Sequence, residues 1–409
     1  MHPFRRASFV VSPHLVAIVL TLLVVPTLAV QAQTLNVLHS FTGGGDGESP
    51  SAGLTMDRAG NLYGTAIYGG ATGNGVVFKL THSGSSWVLN TLFSFTGGND
   101  GGNPQARVIF GADGSLYSTT SAGGFQGNGT VFNLRPQASA CKSALCPWTE
   151  TVLYRFQGGN DGISPAYGDL TFDSTGNLYG TTVGGGLPSC GGDTCGIVFK
   201  LTRSGGSWTE SVLYSFTGGN DGGNPFSGVV LDNAGDLYGT AFYGGASSLG
   251  TVYELIPSGG GWTEKTLTDF AAGGGSPVAG LTFDTQGNLF GTGFVGGTVF
   301  ELMPAGGNWN YSLLTTFDGF DGPFGSLTFD GAGNFYGTNS TGGAYDQGFI
   351  FKGSPSGGGW SISDLYDFTG GNDGAFPVSN VIFDSKGNLY GTAFLGGADG
   401  AGVVWELTP

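Results

Sequence analysis

Short runs of Val, Phe, Tyr, Leu and Thr, bounded by Gly, Pro, Asn and Asp, follow one another along this chain. Runs of that composition, closed by turn residues, predict strands joined by tight connections. The runs also recur. The Phe that closes each unit falls at Phe41, Phe95, Phe156, Phe216, Phe270, Phe317 and Phe368, at spacings of 54, 61, 60, 54, 47 and 51 residues. Self-similarity at such a period points to a repeat architecture. In the third unit the pattern predicts four strands, near 167–173, 177–182, 197–202 and 208–216.

The most repeated stretch, FDSTGNLYGTT at 172–182, has near-copies in LDNAGDLYGTA, FDTQGNLFGTG, FDGAGNFYGTN and FDSKGNLYGTA. Asp173 can accept backbone hydrogen bonds across a tight turn, and Gly176 can take a positive φ. The stretch therefore predicts a hairpin, and its frequency is no evidence for a catalytic Asp. One four-stranded unit cannot bury both of its faces, whereas a ring of units does so without long open edges. The expected fold is all-β, a seven-bladed β-propeller of four-stranded antiparallel blades. The last unit stops at VVWELTP without a Trp-containing fourth run, and TLNVLHSF at 34–41 matches that run. Residues 34–41 are thus expected to complete the blade of residues 376–409 and close the ring.

Residues 1–32 stand apart. Arg5 and Arg6 make a basic start, an apolar run covers 15–25, and Val30-Gln31-Ala32 has the small-x-small form of a cleavage site. This is the arrangement of a secretory signal, too short and wrongly flanked for a spanning helix. The expected organisation is a signal peptide, 1–32, and one propeller domain, 33–409, without a membrane span, monomeric, and secreted, periplasmic or at the cell surface. Losing Arg5 and Arg6 and no acid takes the formal charge from −16 to −18. With so few cations, nucleic acid and anionic lipid are poor partners. Glycine is 82 of 409 residues, but 13% aromatic residues speak against disorder, so glycine reads as turn punctuation. In an exported chain the four cysteines predict disulfides. The pairs Cys141/Cys146 and Cys190/Cys195 fall on opposite faces of the disc. A blade strand separates those faces by about 17–20 Å, beyond the reach of a bridge, so the local pairings Cys141–Cys146 and Cys190–Cys195 are expected.

GNLYGT followed by GG, then GVVFKL or GTVFNL, then SFTGGNDG, resembles the bacterial GloVer tandem-repeat family over nearly all of the chain after residue 32. The resemblance implies exported proteins with varied C-terminal anchors, of which this chain has no recognisable example. It implies a location more than an activity.

Candidate chemistry concentrates on the face carrying the GGxDGxxP connections. Asp46, Asp100, Asp161, Asp221, Asp321 and Asp373 each precede an innermost strand, and are expected near the axis as a ligand-binding ring. Such a ring would attract a cation or polar ligand, which makes calcium the candidate cofactor. Asp-Gly is also a favoured turn pair, so a plain turn role stands beside that reading. Tyr68 and Tyr243 occupy matching loop positions and could stack on a sugar ring. A long loop in the third unit and a short one in the fifth predict a lopsided rim. The regular recurrence of Trp87, Trp148, Trp208, Trp262, Trp309 and Trp360 suits packing better than an aromatic rim for polysaccharide, and Glu254, Glu301 and Glu406 read as solvated positions. Only His39 and His82 follow the signal segment, so no Ser-His-Asp or metal-binding His set assembles. The expected function is a non-enzymatic propeller that binds an extracellular polysaccharide or envelope protein through its acidic loops. The alternatives are a glycan-cleaving enzyme using two of those carboxylates, and a structural envelope protein without a ligand.

Overall fold

The computed structural model describes residues 33–84, 86–136, 148–186, 194–271, 274–317 and 322–408. Seven four-stranded antiparallel sheets form the blades. In the third, the strands are Thr171–Phe172, Leu178–Thr182, Ile197–Ser204 and Ser207–Ser215, paired in that order. The innermost strand is shorter than the expected 167–173, because its first half packs onto the neighbouring blade instead. A Cβ on Gly228 would lie 2.1 Å from the Asp169 carbonyl oxygen.

The repeated motif is explained residue by residue. Asp173 accepts the N–H of Thr175 and of Asn177, each at 2.9 Å, which closes the hairpin turn. Leu178 is buried in the blade, and the Tyr179 hydroxyl donates back to Asp173 at 3.2 Å. Gly180 leaves space for the ring of Phe199 on the third strand. Thr181 donates across to the Ser227 carbonyl of the next blade at 2.7 Å. The same threonine staple recurs as Thr65 to Ala106, Thr240 to Ala279 and Thr338 to Ser379. Each copy of GNLYGT therefore builds a turn, a core and a joint to its neighbour.

Blades also meet through aromatic contacts. The Trp of each outer strand lies against the second-strand aromatic of the preceding blade: Trp148 against Tyr63, Trp208 against Tyr117, Trp262 against Tyr179 and Trp309 against Tyr238. The packing role expected for the Trp series holds. Ring closure follows the same rules. Thr34–Ser40 pairs antiparallel with Val403–Thr408, with an irregularity between Val37 and His39 that matches those on the other outer strands. Thr392 donates to the Ala52 carbonyl at 3.1 Å, and Trp87 meets Tyr390, so the last blade joins the first as any blade joins the next. No helix among the described residues is long and apolar enough to cross a membrane.

Candidate functional site: the axial cavity

Each innermost segment follows a proline, and in most blades it alternates between buried and more open positions. In a strand, alternate residues share a face, and here the more open set faces the axis. Two residues separate successive tiers. The first holds Ser51, Gln105, Tyr167, Phe226, Val278, Phe324 and Val378, and the second Gly53, Arg107, Asp169, Gly228, Gly280, Ser326 and Asn380. Together they line a cavity of ≈ 880 Å³.

The mouth of this cavity is apolar on one side. Phe226 and Phe324 are joined there by Phe242, Phe294 and Phe394, which follow second strands, and by Phe376. All six side chains are half-buried, so each keeps part of its surface open. They brace one another edge-on or tilted: Phe226 and Phe242 are 5.1 Å apart, Phe294 and Phe324 4.9 Å. Phe376 has φ 53°, at a position filled elsewhere by Ser49, Asn103, Ser164, Asn224 and Ser276. An aromatic residue in this region carries about 1–3 kcal/mol of strain. Its backbone is held by bonds from its N–H to Gln347 at 2.9 Å and from the Phe394 N–H to its carbonyl at 3.0 Å. Strain of this kind gathers at functional sites.

The opposite wall is polar. Arg107 donates from Nε to Asp169 Oδ2 at 2.9 Å, and from its backbone N–H to Asp169 Oδ1 at 3.0 Å. Both side chains are about one-third exposed, 30% and 34%, and face the cavity. Glycine at 228 lets the Asp169 backbone pack closely against it, while Asn380 fills the place a side chain at Gly53 would take.

The Gloeobacter/Verrucomicrobia repeat model matches residues 24–192, 145–322 and 294–409, which together span the described blades. The chain belongs to this family. No curated protein matches it. Among solved structures, a streptogramin B lyase is similar at 16% identity, over 92% of this chain and 97% of that chain, with a TM-score of 0.58. A catalytically inactive virginiamycin B lyase from Staphylococcus aureus with quinupristin is similar at 15%, over 92% and 99%, with a TM-score of 0.58. At such identities the likeness shows the propeller fold alone.

In this Gloeobacter/Verrucomicrobia repeat protein the described acidic loops contribute no carboxylate to the cavity lining. Asp46, Asp100, Asp161, Asp221 and Asp373 lie outside the cavity lining, and each is turned into its own loop. Asp221 accepts from the Thr217 N–H at 2.8 Å, the Thr217 hydroxyl at 2.5 Å and the Tyr214 hydroxyl at 2.9 Å. Asp373 repeats this with Thr369 and Tyr366, Asp100 with Thr96, Asp161 with Gln157 and Tyr154, and Asp46 with Thr42 and His39. The turn leaves an outer strand, and Asp161, Asp221 and Asp373 stay bonded to a Tyr of that strand. Among the described residues no group of three His, Cys, Asp or Glu gathers to hold a metal. Tyr68 and Tyr243 are exposed, at 45% and 53%, beside the mouth but not in the lining; Tyr243 packs edge-on against Phe242 at 4.5 Å.

Glu254 is not a solvated position but is 8% exposed, and accepts the Tyr238 hydroxyl at 2.8 Å; Glu406 takes that of Tyr390 at 2.7 Å. Asp321, Cys141, Cys146, Cys190 and the long third-unit loop at 187–193 lie outside the described residues. Cys195 is buried and is not a free thiol. The Phe arc escaped the sequence reading, although a signal existed: the residue after each Pro changes from Ser51 and Gln105 to Phe226 and Phe324 around the ring.

Proposed function

We propose that this protein is an exported binding propeller that holds one small, largely apolar ligand in its axial cavity. The observation that carries the reading is the arc of six half-buried Phe side chains on one side of the axial cavity. Covering the open surface of one such side chain contributes about 1 kcal/mol, so several together supply useful affinity. The volume suits a single drug-sized ligand, for which sites run to roughly 300–1,000 Å³. Export is supported by the composition of residues 1–32. Polymer binding through the acidic loops is less well supported, because their carboxylates are engaged within their own turns. Binding is also favoured over glycan cleavage. That chemistry uses two carboxyl groups flanking the substrate, and among the described lining residues Asp169 is the sole carboxylate.

The test is a fluorescence titration of the full chain with N-phenyl-1-naphthylamine, a neutral apolar probe. Saturable binding of one probe per chain is expected, weakened at least tenfold by Phe226→Ser with Phe324→Ser while the far-UV circular dichroism is unchanged. No saturable binding, or binding indifferent to the two substitutions, would defeat the proposal.

A further inference from the structure

We infer that Arg107, held in place by Asp169, is the polar anchor of the axial cavity and selects ligands that carry a carboxylate on an apolar body. The inference rests on the cavity being a binding site and adds the ligand's chemical class. Both oxygens of Asp169 are committed to Arg107, one to Nε and one to the backbone N–H. No described residue takes a hydrogen bond from the two terminal guanidinium nitrogens. That edge is left with its donors side by side, the geometry that binds a carboxylate with two parallel bonds. The rest of the tier is uncharged, and Gly228 and Gly280 carry no side chain into the cavity.

Asp169 therefore acts as a positioning residue. It fixes the guanidinium plane at the Nε edge and leaves the far edge for the ligand. An amine is a poorer occupant, because the one carboxylate of the described lining already accepts from Arg107. The Phe arc stands one tier away, and two residues of strand span about 7 Å. A fitting ligand places its carboxylate about that distance from the centre of its apolar body.

The experiment compares 4-phenylbutyrate, 4-phenylbutanol and 4-phenylbutylamine as competitors of N-phenyl-1-naphthylamine bound to the full chain. A charge-assisted pair predicts that the acid displaces the probe at roughly tenfold lower concentration than the alcohol. Arg107→Met should erase that difference, and Asp169→Asn, which keeps only one of the two acceptors that hold Arg107, should reduce it. Should either variant fail to fold, the wild type decides alone: the acid's advantage must vanish below the acid's own pKa. Equal competition by acid and alcohol, or stronger competition by the amine, overturns the inference while leaving the cavity reading intact. Failure of the neutral probe to bind overturns both.

Discussion

Gly180 shows how tightly single residues are constrained. A Cβ there would lie 2.6 Å from Cζ of Phe199 and 2.9 Å from Cδ2 of Leu170, so a methyl group must displace one of them. Gly180→Ala should destabilise the protein by about 1–3 kcal/mol, the usual cost of overpacking, read as a lower urea midpoint. The second blade indicates the rescue: there Ser118 stands at this place beside Val108, one carbon shorter than Leu170. Leu170→Val added to Gly180→Ala should recover part of the loss, and a purely additive double variant would refute the steric account. Asp173 was legible from sequence because its partners are local. Burial opposes its ionisation, but hydrogen bonds from Asn177 and Thr175 outweigh burial and hold its carboxyl down at about 2. Phe226 was not legible in the same way, because alternation does not say which face of a strand meets the axis.

The outer strands carry a second kind of information, in which a sequence pattern hides an electrostatic cost. Glu150, Glu210 and Glu264 each stand two residues after a Trp, where other blades place Leu89, Tyr311 and Ile362. Burial pushes all three carboxyls up to about 7, and the neighbouring Asp100, Asp161 and Asp221 add to the shift; the Thr266 hydroxyl only partly offsets it at Glu264. In the unfolded chain these groups ionise near 4.5. The folded state therefore binds more protons between pH 4.5 and about 7, and stability falls as pH rises through that window. Asp173 acts oppositely, since its contribution is present above 3.8 and is lost as pH falls toward 2. The melting temperature should thus be higher at pH 5 than at pH 8. Glu210→Leu should stabilise the protein at pH 8 by up to about 1 kcal/mol, a figure held down by partial exposure, and do little at pH 5. A variant less stable than wild type at pH 8 would show that the carboxylate has a favourable partner. The strands themselves were readable because their turn residues and spacing recur. The protonation of these three residues was not, because it depends on a neighbouring blade's loop.

At the scale of the whole ring, the repeat period and the complementary ends revealed the architecture, while the central site arises from departures from the repeat and had to be seen assembled. In the same assembly five acidic loops each tie their Asp into their own turn. Calcium is therefore expected to leave the melting temperature where a chelator leaves it, and a rise would mean that oxygens converge after all. Closure supplies the sharper test. Leu35 packs with the cluster around Trp405 and Phe368, and Leu38 with that around Phe41 and Phe78, so the closing strand binds the last blade on one side and the first on the other. Val37, between them, is 39% exposed. Leu35→Asp with Leu38→Asp places a charge in each contact and should cost about 2–4 kcal/mol, a fall of roughly 3–5 °C for a domain of this size. Val37→Asp adds the same charge to the same strand on its open face, and should change stability by no more than about 0.5 kcal/mol. Detachment would also expose the edge of Val403–Thr408, an unpaired strand prone to pair with other chains. The double variant should therefore show larger particles than the wild type in light scattering, whereas Val37→Asp should match the wild type. Equal melting temperatures for the two variants would mean that the ring does not depend on its closing strand. In that case the threonine staple from Thr392 to Ala52 and the contact of Trp87 with Tyr390 would have to hold the first and last blades together without it.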